Sequence, residues 1–464
     1  MRTSPEKFLK IKKQVLSRIK PRKADYEAEK KFIGSMISRI KAIEGNHVDV
    51  IVAGSSARDT HLKGDRDIDI FVLFQKDFPR EDFVKEGLRI AKLAFRGHEW
   101  EEAFSEHPYI RGSISGYEVE IVPSYKVEHA FELKSSVDRT PFHNSYLLQK
   151  LSDVQKDEAR LLKQFLKGIG SYGAELKYNS VPGYVTELLI LNYGDFLSCI
   201  KAAAKWKMNE VIDLEKYYLA KDAVKRFNSH LIIVDPVDLN RNVAAALSYN
   251  QYARMIAASR EFLKKPALDF FFGKRHAELS RKTLKEILLK KELVAVCLDY
   301  PKNALADIIW GQAKRMQRKA ANQLFINDFV VNRHEFWTDE KKILLMLFEL
   351  ESLTLQKVKK KAGPEVIEEE HSANFLKAHK DAVAGPRIED GRWIIEVERK
   401  YVHADDFMEA YLKELQKSEK KPMLSALKKG IKILDEDAIA KLYSTNDEFR
   451  QFLSGYLRGR ESFL

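Results

Sequence analysis

Residues 53–60 read Ala53-Gly54-Ser55-Ser56-Ala57-Arg58-Asp59-Thr60, and residues 65–71 read Asp65-Arg66-Asp67-Ile68-Asp69-Ile70-Phe71. The first stretch follows His47-Val48-Asp49-Val50-Ile51-Val52, which reads with Ala53 as a buried strand ending at Gly54. The second alternates as a strand does, so Ile68 and Ile70 face one side and Asp67 and Asp69 the other. Two residues of strand rise set the aspartate Cα atoms roughly 6–7 Å apart. Carboxylates that close on one face repel unless a cation lies between them. Hard divalent ions such as Mg²⁺ take oxygen ligands of this kind and keep positions open for phosphate oxygens.

Alone, Asp-x-Asp is most often an exposed strand with solvated acids. The glycine-serine turn before it changes that reading. Glycine lets the backbone approach a bound group, and free N–H groups at a helix start attract phosphate. Ser55 adds a hydroxyl donor, and Arg58 carries a fork suited to phosphate. Phosphate donors and metal ligands then fall on adjacent strands. Two-metal phosphoryl chemistry usually needs one more oxygen ligand, and Glu118-Val119-Glu120-Ile121-Val122-Pro123 offers it. Glu118 and Glu120 share a face, so spacing alone does not choose between them.

Composition narrows the class. Of 464 residues 45% are hydrophobic and 11% aromatic, which excludes a disordered or fibrous chain. The two cysteines, Cys199 and Cys297, form no C-x-x-C pair, which excludes a disulfide framework and a thiolate zinc site and fits a reducing compartment. Lys and Arg outnumber Asp and Glu by 80 to 68, and an excess of +12 fits a polyanionic partner. Apolar runs such as residues 343–348 fall far short of the ~20 residues a bilayer needs, so no membrane partner is expected. Ser4-Pro5-Glu6 caps a helix whose apolar positions Phe8, Ile11, Val15 and Ile19 share one face. Its acids, with Asp25, Glu27 and Glu29, are foreign to a transit peptide. A cytoplasmic protein is expected.

The chain reads as four parts: an α/β head over 1–148, a helical central domain over 149–265, a small α/β body over 266–400 and a basic helical tail over 401–464. In the head, strands are expected over Asp67–Phe74 and over Tyr117–Val122, the latter stopped by Pro123, with a helix over 81–96. The centre is read as nearly all helix, including 159–168, 185–203 and 243–262. In the body, strands are expected over 293–298 and 392–397, with a hairpin of 329–338 and 343–350 and a helix over 304–323.

Gly54 to Gly64, with the pattern Gly-Ser-x-Ala-Arg-x-Thr-x-Leu-x-Gly, resembles the class I, archaeal-type CCA-adding enzymes of the DNA polymerase β nucleotidyltransferase superfamily. So do Glu106-His107-Pro108-Tyr109, residues 138–143, Leu161-Leu162-Lys163, Tyr172-Gly173-Ala174-Glu175 and residues 235–245. Weaker matches occur at Trp310-Gly311-Gln312 and from Gly363 to His371. The resemblance implies a polymerase-β-like head and template-independent addition of C, C and A to tRNA from CTP and ATP, in maturation or repair. It implies that Asp67, Asp69 and Glu120 hold two Mg²⁺ ions, although the family pattern has aspartate where Glu120 stands. Gly54, Ser55 and Arg58 match triphosphate contacts. His143, Lys163 and Tyr172 match nucleotide-binding residues, and Thr140 and Arg241 match residues near the base. A homodimer is compatible with this reading. The rivals are a poly(A) or other terminal RNA nucleotidyltransferase and a catalytically silent RNA-binding scaffold.

Overall fold

The computed structural model describes residues 5–43, 48–104, 107–129, 132–273, 278–302 and 304–464; Ser4, His47 and Glu106, named above, lie outside them. The chain divides into two compact units, residues 1–274 with 461–464, and residues 275–460. Among the described residues no helix is long and apolar enough to cross a membrane.

The first unit begins with α1 (Pro5–Ile19) and α2 (Lys23–Lys41). β1 (Asp49–Ala53) leads through the short α3 (Gly54–Ala57) into β2 (Asp67–Gln75), and α4 (Arg80–Ala94) follows. β3 (Trp100–Phe104), β4 (Pro108–Ile114) and β5 (Tyr117–Lys126) complete a sheet of order β1-β2-β5-β4-β3. Only β2 and β5 run parallel. Ile68, Ile70, Val119 and Ile121 pack on Met36 and Ile40 of α2 and Phe83 and Ile90 of α4. Strand alternation therefore turns Asp67, Asp69, Glu118 and Glu120 to the opposite face.

The β3–β4 hairpin was not expected, and β5 does not stop at Pro123. Pro123 lies beside Val72 of β2. β4 pairs with β5 only from Tyr117 to Ile121, so beyond that point this side of β5 carries no ladder among the described residues. His107 Nε2 donates to the Pro123 carbonyl at 2.8 Å. A strand residue's carbonyl and nitrogen point the same way, so the missing N–H falls where there is no ladder to break.

Next come α5 (Arg139–Lys150), α6 (Asp153–Gly168), α7 (Gly183–Tyr193), α8 (Phe196–Ala203), β6 (Glu210–Ile212), α9 (Ala220–Phe227), β7 (Leu231–Asp235), β8 (Asp238–Asn242), α10 (Tyr249–Lys264) and α11 (Asp269–Phe272). Two expectations shift here. The helix over 185–203 is two helices, broken at Gly194 with φ 88°. The helix expected from Val243 starts at Tyr249, because Ser248 caps it by accepting from Gln251 N–H. A three-stranded sheet, β6-β7-β8, was also unforeseen; its central strand is the fully buried run Leu231–Asp235. The amphipathic reading of α1 holds: Phe8, Ile11, Val15 and Ile19 are buried in one core with Leu161, Phe165, Phe196 and Phe262.

The segment after α3 is tied to these helices by buried charges. Arg160 of α6, 1% exposed, donates to the His61 carbonyl (2.9 Å), the Tyr26 hydroxyl (2.8 Å) and Asp59. Lys163 Nζ donates to the Thr60 carbonyl at 3.0 Å. The Arg58 guanidinium pairs with Glu187 of α7 at 2.8 Å, and the Thr60 hydroxyl donates to the same carboxylate.

The second unit holds α12 (Arg281–Leu288), β9 (Leu293–Asp299), α13 (Ala306–Ile326), β10 (Val331–Thr338), β11 (Ile343–Leu350), β12 (Val358–Glu365), α14 (Glu369–Ala378), β13 (Ala384–Glu389), β14 (Arg392–Glu398), α15 (Ala404–Leu415), α16 (Met423–Lys429), β15 (Lys432–Leu434), α17 (Glu436–Thr445) and α18 (Asp447–Arg458). Its main sheet has the order β10-β11-β9-β15. The expected β10–β11 hairpin is present, its turn held by Asp339 Oδ1 accepting from the N–H groups of Lys341, Lys342 and Ile343. Residues of α13, α15 and α16 cover one face and residues of α12, α17 and α18 the other. The last sixty residues are helical as expected, but they also supply β15 and much of both covering layers. In a second sheet, β12-β14-β13, the strand expected over 392–397 is β14, whereas β12 contains what looked like a surface lysine cluster, Lys359-Lys360-Lys361.

Replacing Arg160 would leave the His61 carbonyl without its donor and take from Asp59 the charged one of its partners, leaving it Tyr26. Arg160→Met should lower the free energy of unfolding by about 3 kcal/mol, measured by urea denaturation. A loss under ~0.5 kcal/mol, the range of a neutral surface change, would show that the joint does not depend on it.

Candidate active site

The β1–β2 register sets Ala53 opposite Asp69, and Gly54 follows with φ 75°. A Cβ at Gly54 would lie 1.9 Å from Asp69 Oδ2. Glycine here is therefore what lets a carboxylate rest against the turn. The Ser56 hydroxyl donates to the Asp67 carbonyl at 2.9 Å, and Thr60 N–H donates to the Ser55 carbonyl at 2.9 Å, closing the loop.

The parallel β2–β5 register places Asp67 beside Glu118 and Asp69 beside Glu120. Burial, then the neighbouring Asp67, push the Asp69 carboxyl up to about 6. Burial, then Asp69, push Glu120 up to about 7, although Arg111 pulls the other way. Asp67 is raised too, by burial first and then by Asp65. On the next strand Arg111 faces Glu120 in register, and the Tyr109 hydroxyl hydrogen-bonds to it. Arg111 Nε also donates to Glu101 at 2.6 Å. The carboxylates line a cleft of about 820 Å³ with Ser55, Arg111 and Glu175.

Two further groups border this one. Lys163 is 1% exposed, and burial lowers its ammonium to about 8. Tyr172 lies next to it, both side chains against the Cα of Gly183, where a Cβ would be 3.0 Å from the tyrosine oxygen. Asp67 feels the charge of Lys163. Arg58, read from sequence as a phosphate ligand, is only 7% exposed and is engaged by Glu187 and by Asn144 (3.2 Å). The second group centres on Asp235, which takes His143 Nε2 and Arg241 NH1, each at 2.8 Å. The His143 ring stacks on Tyr184 with centroids 4.2 Å apart. Thr140 stands half-buried in the first turn of α5, one turn before His143.

Among the described residues no three His, Cys, Asp or Glu side chains converge into a closed metal site. The donor set nonetheless fits a hard divalent cation: oxygen ligands only, mutually repelling, and with Asp69 seated against the bare Gly54 turn. Tyr109, Arg111, Glu187 and Asp235 were not singled out from sequence as site residues. Glu187 had a signal, a lone acid in the apolar run Val185–Leu191. Asp235 had one too, since Arg241 lies six residues further on.

Three families match: nucleotidyltransferase domain over residues 30–143, tRNA nucleotidyltransferase second domain over 157–272, and CCA-adding enzyme C-terminal domain over 291–436. A CCA-adding enzyme of Methanosarcina acetivorans is 35% identical, covering 96% of this chain and 97% of its own. One from Methanocaldococcus jannaschii is 37% identical over 85% and 89%. Among solved structures, the Cid1 poly(U) polymerase aligns at 18% identity and TM-score 0.47, covering 58% of this chain and 99% of that one.

Gly54→Ala should abolish activity while leaving the protein folded, since the clash falls on the Asp69 carboxylate. A fully active Gly54→Ala enzyme would show that Asp69 need not rest there. The raised carboxyls also set a pH dependence. Asp69 and Glu120 hold extra protons in the folded state, so their contribution is complete below about pH 4 and lost as pH rises through about 6 and 7. The melting temperature of metal-free protein should carry this fall between pH 5 and 8, and Glu120→Gln should flatten it. An identical slope in both proteins would contradict the assignment.

Proposed function

Because the chain belongs to the family of CCA-adding enzymes, it is a tRNA nucleotidyltransferase, and we propose that it builds C, C and A onto the tRNA 3′ end from CTP and ATP, releasing pyrophosphate. The observation that carries the reading is likeness to these enzymes along 96% of the chain, joined to three carboxylates beside a bare glycine turn.

Asp67, Asp69 and Glu120 would hold two Mg²⁺ ions, which when bound would activate the 3′-hydroxyl and neutralise charge on the triphosphate. Gly54 and Ser55 receive the triphosphate through the open backbone and the serine hydroxyl. Lys163 and Tyr172 stand on the helical side of the same turn and orient the nucleotide. Thr140, His143 and Arg241 meet its base side. Arg58 reaches a phosphate only by exchanging Asn144 or Glu187 for it; in its present place it braces the turn from behind. Glu120 is favoured over Glu118 because it is buried against Asp69, with Arg111 and the Tyr109 hydroxyl acting on it. A cytoplasmic site of action follows from the tRNA substrate. The reading is compatible with a homodimer, which light scattering would establish.

The defining experiment supplies tRNA lacking its CCA end with CTP, ATP, UTP and GTP, separately and together. Addition that stops after C, C and A supports the reading; an unbounded homopolymer would make the protein a terminal polymerase instead. Asp67→Asn and Asp69→Asn should each slow single-turnover CTP addition by about 10²–10³-fold, with tRNA binding retained. Glu120→Gln should match them and Glu118→Gln should stay near wild type. The reverse pattern would move the third ligand to Glu118.

A further inference from the structure

Asp235 ends β7 with its side chain wholly buried. Its Oδ2 accepts from His143 Nε2 of α5 and from Arg241 NH1 of β8, both at 2.8 Å, while Oδ1 accepts from Val237 N–H at 3.1 Å. Burial works to raise this carboxyl, but the hydrogen bonds from His143 and Arg241 hold it below the ordinary range. The other acid of the hairpin, Asp238, is occupied by Arg139 Nε at 2.8 Å. Arg241 thus has one anchor. Its side chain is 41% exposed, so the anchored edge of the guanidinium is fixed in the interior while much of the side chain meets solvent.

A guanidinium is a planar fork with donors in fixed directions. Pinning NH1 fixes the plane and hence the directions of the remaining N–H groups. The same oxygen requires a proton on His143 Nε2, which settles the face that ring presents, and the stacked Tyr184 ring limits its rotation. Tyr184 brings beside this pair a buried hydroxyl with no hydrogen-bond partner among the described residues, so the cluster is not closed by its own contacts. A freed guanidinium would keep its charge and lose its direction. Charge attracts every nucleotide alike, whereas direction discriminates among bases.

We propose that Asp235 is a specificity-positioning residue, fixing Arg241 and His143 in one arrangement so that the incoming base meets a single set of donors. The proposal rests on the reading of Arg241 and His143 as base-side residues. The sequence motif Asp235-Pro236-Val237-Asp238 carries no side chain that touches the carboxylate centre in this role; Asp235 acts through its two partners.

The test is Asp235→Asn, which keeps size and an acceptor oxygen but removes the charge. kcat/KM is measured for CTP, ATP, UTP and GTP on tRNA lacking CCA, beside Arg241→Ala and the double variant, with melting temperatures as a check on folding. Preference for CTP over UTP should fall about tenfold or more in Asp235→Asn, with a smaller loss in the rate of CTP addition. The double variant should discriminate no worse than Arg241→Ala alone. If Asp235→Asn does not fold, Arg241→Lys decides, because it keeps the charge without the fork and should lose the same preference. Selectivity altered in Arg241→Ala but intact in Asp235→Asn, or in Arg241→Lys when that variant decides, would overturn the proposal alone. Selectivity intact in Arg241→Ala as well would overturn the base-side reading on which it stands.

Discussion

Arg160, Lys163 and Glu187 carry charge in the interior of the first unit, and each finds a partner in the four residues from Arg58 to His61. A buried charge is tolerated only when paired and hydrogen-bonded. The helices can therefore pack only if this loop takes one conformation, and the loop can take it only where the helices stand. Asp59 adopts φ 54° in that conformation, held there by Arg160. Since the loop begins where α3 ends, Gly54 and Ser55 are positioned from the helical side as firmly as from the sheet. A turn clamped on both sides holds its backbone groups in one place.

The third carboxylate shows how a longer side chain is accommodated. Glutamate has one more rotatable bond than aspartate, and a free glutamate would sample several positions. Here the Tyr109 hydroxyl of β4 hydrogen-bonds to its carboxylate and the charge of Arg111 acts on it, while the same arginine pairs with Glu101. The row Glu101, Arg111, Glu120, Asp69 alternates in sign until the last pair, and it is at that pair that negative charge accumulates. The repulsion recorded in Asp69 and Glu120 is the property that suits the spot to a cation.

What could be read from the sequence was local. Asp67 and Asp69 opposite Ile68 and Ile70, the amphipathic face of α1 and the turn at Asp339 all depend on neighbours within a few residues. What could not be read was set by distant partners. Trp100–Phe104 has almost no buried position, so β3 carried no alternation to detect. Pro123 ends a strand in most settings and is harmless here because the β4–β5 ladder has already ended at Ile121. Arg58 beside a glycine-serine turn looked like a phosphate ligand because Glu187, 129 residues away, was invisible from it. Between Glu118 and Glu120 the sequence left a choice, and the β2–β5 register, which sets Glu118 beside Asp67 and Glu120 beside Asp69, does not make it.

The pairing of β15 with β9 bears on how the protein is made. β9 is complete at Asp299, but its neighbour on one side, Lys432–Leu434, is more than a hundred residues further on. At ribosomal speeds that interval is roughly ten to thirty seconds. Until Lys432–Leu434 emerges, one edge of β9 lacks its strand and α17 and α18 are still to come, with α15 and α16 arriving only late in the interval, while the helices and strands of the first unit already have nearly all of their partners. Synthesis is thus a period in which the second unit exposes strand edges and apolar surface that it later buries.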